Sequence, residues 1–157
     1  MYIVSLYLHL ILVCIWIGGQ IFLPLVIIPA LKKSLGNNEA LKRKIVINSG
    51  IIFSKAGRWI ILLLLITGIL NYYFKFKTFN LFLFSDNPYG KKLLLKISLF
   101  ILMIVINIIH ERKIGNQLIN DVDEKEYEHL KKWASFTGRM TLLLSIIILL
   151  LGLLLSK

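Results

Sequence analysis

Acidic residues are scarce in this chain: eight Asp and Glu stand against 19 Lys and Arg in 157 residues, a formal net charge of +11. The single cysteine, Cys14, excludes a disulfide framework. Soft metal ligands are few, because the only methionines are Met1, Met103 and Met140 and no Met-rich motif occurs. Long polar segments are also missing. The longest connection between apolar runs, residues 112 to 133, is too short to bury a core of its own, which excludes a separate soluble domain.

What is present is apolar sequence. Hydrophobic residues make up 57% of the chain and charged residues 17%, with the charges gathered between long apolar stretches. A membrane span needs about 20 apolar residues at a rise of ~1.5 Å each. Four segments qualify, about 2–30, 51–74, 91–111 and 134–156. The expected fold is all-α: an integral membrane four-helix bundle, a single transmembrane domain over residues 1–157. A cleaved signal peptide is the rival reading of the first segment. Its leading residues carry no Lys or Arg, its apolar run is about twice the usual length, and Ile28-Pro29-Ala30 makes a poor cleavage site, so a retained span is expected.

Basic residues set the expected topology. The first and third connections with their flanks hold thirteen Lys and Arg, against six at the other side, which puts both termini outside and those two connections in the cytoplasm of an inner-membrane protein. The same layout argues against nucleic acid as a partner. The cations flank spans and do not interleave with aromatics on one exposed face, so anionic lipid headgroups account for them better. Residues 75–90 carry aromatics and the turn signal Asp86-Asn87-Pro88-Tyr89-Gly90, and read as an interfacial loop. Residues 117–133 place Leu118, Val122, Tyr127, Leu130 and Trp133 near helical spacing among acidic residues, which predicts a short amphipathic cytoplasmic helix between spans 3 and 4. His129 on it reads as a solvated surface residue.

Helical phase singles out the candidate site residues. In the first span Ser5, His9, Trp16 and Gln20 share one face, and in the third Lys96, Met103, Asn107 and His110 share another. Ionisable groups in a membrane span are costly and mark functional sites by default, so both stripes are expected to point into the bundle. Ser135, Gly138, Ser145, Gly152 and Ser156 in the fourth span read as a small-residue packing face. His9 lies ~10 Å and Lys96 ~8 Å from the outer ends of their helices, whereas His110 lies ~28 Å along its own. Metal bonds of ~2 Å cannot bridge the ~18 Å between the two histidines, so they are expected to serve separate sites. Cys14 sits about 140° round the helix from His9 and reads as a buried, inert thiol. Arg58 is placed either to pair near His110 and Glu111 or to mark the membrane boundary.

His9, Trp16, Gly19 and Phe22-Leu23-Pro24, with Arg58, Thr67-Gly68, Tyr89-Gly90-Lys91, Lys96 and His110, resemble the copper-resistance protein D (CopD) domain. The His-x6-Trp-x7-Pro spacing followed by a third-helix lysine is also similar to haem-dependent membrane protoporphyrinogen IX oxidases of the HemJ type. The oxidases follow the proline with an Arg and then a Tyr-His pair, where this chain has Leu25 and Pro29-Ala30. The first resemblance implies copper uptake or delivery at the cytoplasmic membrane. The second implies a haem site served by His9 and Lys96. Candidate cofactor-binding residues are therefore His9, Lys96 and Trp16, and candidate metal ligands His9, His110 and Met103, for either b-type haem or copper. The ligand inventory leans to a porphyrin, which one imidazole can anchor. Two classes of function stay open at this point. One is a metal centre in copper handling or membrane electron transfer, with a quinone or a periplasmic copper or redox protein as partner. The other is a non-catalytic accessory subunit; homo-oligomerisation and enzymatic activity are open in both.

Overall fold

The computed structural model describes residues 1–77, 88–115 and 124–156, and over these the chain is almost wholly helical. Helix α1 runs Tyr2–Phe22, continues through a π-helical segment, Leu23–Ile27, and passes into α2, Ile28–Leu35. Pro24 explains the π segment. It has no N–H to return to the preceding turn, and the ladder recovers with Ile28 N–H bonded to the Leu23 carbonyl, five residues back. A tight turn follows, with Gly36 at φ 52°, a left-handed value that suits glycine. Asn38 then caps the next helix, its side chain accepting from Leu41 N–H at 3.1 Å.

Helix α3 spans Glu39–Phe76, α4 spans Pro88–His110 with a π-helical segment at Glu111–Gly115, and α5 spans Glu124–Ser156. Four helices are long and apolar enough to cross a membrane: Tyr2–Leu35, Glu39–Phe76, Pro88–Lys113 and Lys125–Leu155. At 38 residues, α3 is about 57 Å long, well beyond a hydrocarbon core of ~30 Å. The apolar runs thus locate the bilayer but understate the helices.

The polar stretch expected as a separate amphipathic helix differs in the same way. Its described part, from Glu124, runs without a break into the fourth span. No glycine or proline interrupts residues 124–137, and charged side chains in water leave the backbone ladder intact. Tyr127, Leu130 and Trp133 therefore lie on the first turns of α5, where Leu130 is buried. Leu118 and Val122 lie outside the described residues, as does most of the expected interfacial loop.

The helices pack as two hairpins, α1 on α3 and α4 on α5, joined by α1 against α5. Contacts between α3 and the α4 region close the ring at both ends: Phe76 meets the Tyr89 ring edge-on at 5.2 Å, and Arg58 pairs with Glu111 at 2.9 Å. The start of α1 and the end of α5 lie at one end of the bundle, called here the terminal end. The α2–α3 turn and the π segment after α4 lie at the other, the basic end.

The core is thin. Leu12, Trp16, Leu64, Met103 and Leu144 form it, while Ile3, Ile11, Leu65, Ile101, Leu143 and many other large apolar residues face outward. Outward apolar faces suit lipid, and packing between membrane helices then depends on close contact at small residues. Gly57 is such a point, for a Cβ there would lie 2.8 Å from Cζ3 of Trp16. Gly19 likewise admits the Phe53 ring. Cys14 is exposed on the lipid-facing side and is not the buried thiol expected from sequence; a half-turn offset from the His9 stripe places it there. Replacing Gly57 by Ala is expected to lower stability in detergent by about 1–3 kcal/mol, because the buried indole cannot yield. Gly138→Ala, with nothing within 4 Å of the new methyl, is expected to be neutral or stabilising by about 0.5–1 kcal/mol. Thermal unfolding of the two variants side by side checks both.

Candidate functional site

The polar side chains inside the bundle lie at three levels. At the terminal end His9 Nδ1 is 2.7 Å from Thr67 Oγ1. Thr67 also lies 2.7 Å from the Leu63 carbonyl and 3.2 Å from that of Leu64, on its own helix. A hydroxyl has one proton, and the carbonyls take it. Towards the imidazole Thr67 is therefore an acceptor, so His9 carries its proton on Nδ1 and leaves the Nε2 lone pair bare. Gly68 lies beside the ring, where a Cβ would make an ordinary contact with His9 Cε1 at 3.7 Å.

Two buried polar atoms near this pair have no partner among the described residues: Ser5 Oγ and Asn71 Oδ1. Ser5 is one turn from His9 on α1, and Asn71 one turn from Thr67 on α3. The helices are antiparallel, so both lie one turn nearer the terminal end than the His9–Thr67 bond. Lys96 on α4 reaches the same level. Its Nζ lies over Gly152, 3.1 Å from where a Cβ would stand. Among the described residues no carboxylate pairs with it.

The middle level is Trp16, Ser145 and Met103. Trp16 Nε1 donates to Ser145 Oγ at 3.0 Å, its ring stacks on Phe53 at 5.9 Å, and it is 4% exposed. Ser145 sits 2.8 Å from the Thr141 carbonyl and 3.3 Å from Met103 Sδ, and Met103 is the most deeply buried large side chain, 2% exposed. Trp16 therefore holds a packing position, with its one donor already committed. Seven residues separate Lys96 from Met103, Met103 from His110, and His9 from Trp16, so each step between levels is about 10 Å.

At the basic end His110 Nδ1 contacts Thr137 Oγ1, and Thr137 lies 2.8 Å from the Trp133 carbonyl and 3.2 Å from that of Ala134. The arrangement repeats that at His9 and assigns the same tautomer. Arg58 pairs with the neighbouring Glu111, the first of the two placements considered for it. Lys113 stands over the Trp133 ring at 4.4 Å and Arg43 over that of Tyr127 at 3.8 Å.

His9, Met103 and His110 thus occupy three different levels and do not converge on one ion. Among the described residues no group of three His, Cys, Asp or Glu could hold a metal. His9 and Lys96 do share a level. The face expected on α5 is only partly right: Ser145 points inward, but Ser135 and Gly138 are exposed, and Thr137 and Thr141 are buried instead. A threonine can bond its hydroxyl to its own helix and sit in an apolar span, so these two do not stand out by residue type. The signal that finds them is the buried stripe Leu130, Thr137, Thr141, Leu144 at steps of 7, 4 and 3.

The family model described as copper resistance protein D matches residues 51–155, more than half of the chain. The match includes Thr67, Lys96, Met103, His110, Thr137 and Ser145 and starts after His9 and Trp16. A relative from Aquifex aeolicus (strain VF5), described as an uncharacterized protein, is 29% identical over 149 residues, which are 94% of this chain and 90% of that protein. No solved structure matches. With its four apolar helices and this match, the chain is a multi-pass membrane protein that belongs to the copper resistance protein D family.

Proposed function

We propose that this copper-resistance-family protein carries one histidine-anchored metal centre near its terminal end and acts in membrane electron transfer or copper handling. The observation that carries the reading is the 2.7 Å contact of His9 Nδ1 with Thr67 Oγ1, to which hydrogen-bond accounting assigns the Nδ1–H tautomer. The Nδ1–H is held by Thr67 and the Nε2 lone pair is free inside the bundle. Metal-bound imidazoles use this arrangement, the second nitrogen donating to an acceptor that fixes the ring.

The donors at this level bear on which metal fits. Copper(I) prefers thioether and thiolate ligands. Met103 is about 10 Å deeper, and Cys14 faces lipid. A b-type haem brings its own ring nitrogens and needs only an axial imidazole, and it supplies one-electron chemistry when bound. His9 would hold the iron. Lys96 is the group at that level that would meet an acidic substituent, and Ser5 and Asn71 have polar atoms in want of a partner. Trp16 and Leu12 form the floor beneath. By the distribution of basic residues, the terminal end faces outward across the cytoplasmic membrane and the basic end meets anionic lipid at the inner surface.

The test is an optical spectrum of the purified protein, air-oxidised and dithionite-reduced, with iron and copper determined on the same sample. Sharp reduced bands of b-type haem or stoichiometric copper are expected, and either should vanish in His9→Ala. A metal-free protein, or a centre that survives in His9→Ala, overturns the reading. Thr67→Val removes the acceptor at nearly constant shape and is expected to weaken metal retention by about 10–100-fold, whereas Thr67→Ser should retain it. Metal content after dialysis against a chelator measures the difference.

A further inference from the structure

His110 repeats the design of His9 in a different setting. Its Nδ1–H is held by Thr137, whose own proton is committed to the Trp133 and Ala134 carbonyls, so Nε2 is a bare acceptor. The ring is half-buried on the last turn of α4, at the edge of the apolar span, next to the π segment Glu111–Gly115. Irregular turns of this kind frequently accompany functional sites.

The surroundings decide what that acceptor would take. Glu111, the nearest carboxylate, is paired with Arg58. Arg112 and Lys113 follow it along the chain, and Lys113 covers one face of Trp133. Arg139 is exposed on the opposite face of α5 from Thr137, and His129 is exposed two turns outside the site. Met103 is about 10 Å deeper. A metal cation would meet one nitrogen donor and a carboxylate already held by Arg58, and among the described residues no group of three ligands forms there. A neutral ligand with an O–H to donate meets no such penalty. It must also be membrane-soluble, since the half-buried ring lies at the edge of the span, and the aromatic side chain at hand for it is Trp133, one turn from Thr137 on α5.

We infer that His110 accepts a hydrogen bond from the hydroxyl of a lipid-soluble hydroquinone, with Thr137 as the positioning residue that fixes the tautomer. The inference deepens the reading of His9 as a redox centre by naming its electron partner, and it rests on that reading for its purpose though not for its chemistry. The tautomer gives the site a polarity. A hydroquinone donates O–H to Nε2, whereas the oxidised quinone presents only carbonyls, which a bare nitrogen cannot bond. The reduced form is therefore preferred.

Binding of a short-chain benzoquinol and of its quinone to the full-length protein in lipid nanodiscs, by equilibrium dialysis under anaerobic conditions, tests this. The quinol is expected to bind about tenfold more tightly than the quinone, the ratio that one net hydrogen bond of about 1.4 kcal/mol supplies. His110→Ala and Thr137→Val should abolish the preference, and Thr137→Ser should restore it. His9→Ala should leave it unchanged, so loss of the metal centre and loss of this site are read separately. Equal binding of the two forms, an unchanged preference in His110→Ala, or no quinol binding at all overturns the inference. So does a His110→Ala variant that loses thermal stability and keeps the preference, which would leave the His110–Thr137 bond as a helix link and nothing more.

Discussion

A hydroxyl inside a hydrocarbon slab has no water to bond, and in this protein that constraint governs the polar interior. The proton goes to a carbonyl one turn earlier on the same helix: Thr67 to Leu63, Thr137 to Trp133, Ser145 to Thr141, and Ser98 to Leu94 on the outer face. Each hydroxyl is then an acceptor towards any other helix. The consequence passes to the donors that face it. Both half-buried histidines must present Nδ1–H to their threonines, and Trp16 must present its indole N–H to Ser145. The tautomers are set by backbone hydrogen bonding two bonds away, without any charged group.

These contacts also do what the thin apolar core cannot do alone. With lipid on one side of most large side chains, burying them against another helix gains little over leaving them in hydrocarbon. Specific links between helices then fix the arrangement: His9 to Thr67 joins α1 to α3, Trp16 to Ser145 joins α1 to α5, and His110 to Thr137 joins α4 to α5. Close approach at Gly57 and Gly19 complements them. The residues that orient the candidate ligands are thus the residues that pair the helices.

Much of this was legible in the sequence. The stripes Ser5-His9-Trp16-Gln20 and Lys96-Met103-Asn107-His110 face inward because a membrane helix has few polar residues and they must avoid lipid, which makes phase easy to read. The separation of His9 from His110 followed from counting rise per residue. Helix ends were less legible. Hydropathy reports where the hydrocarbon stops, and α3 and α5 both continue past it on charged residues that favour helix as well as leucine does. The partners of the histidines were the hardest to find. Thr67 and Thr137 look like ordinary apolar-span residues until a donor on another helix is seen opposite them.

The middle level has one more consequence. Trp16, Leu12, Leu64, Leu144 and Met103 fill the bundle between the two histidines, and among the described residues no continuous run of hydrogen bonds crosses them. The Trp16–Ser145 bond lies across this middle level and reaches neither histidine. With about 20 Å between them, the two histidines take their ligands independently, and what binds at one end is felt at the other only through the helices that join them.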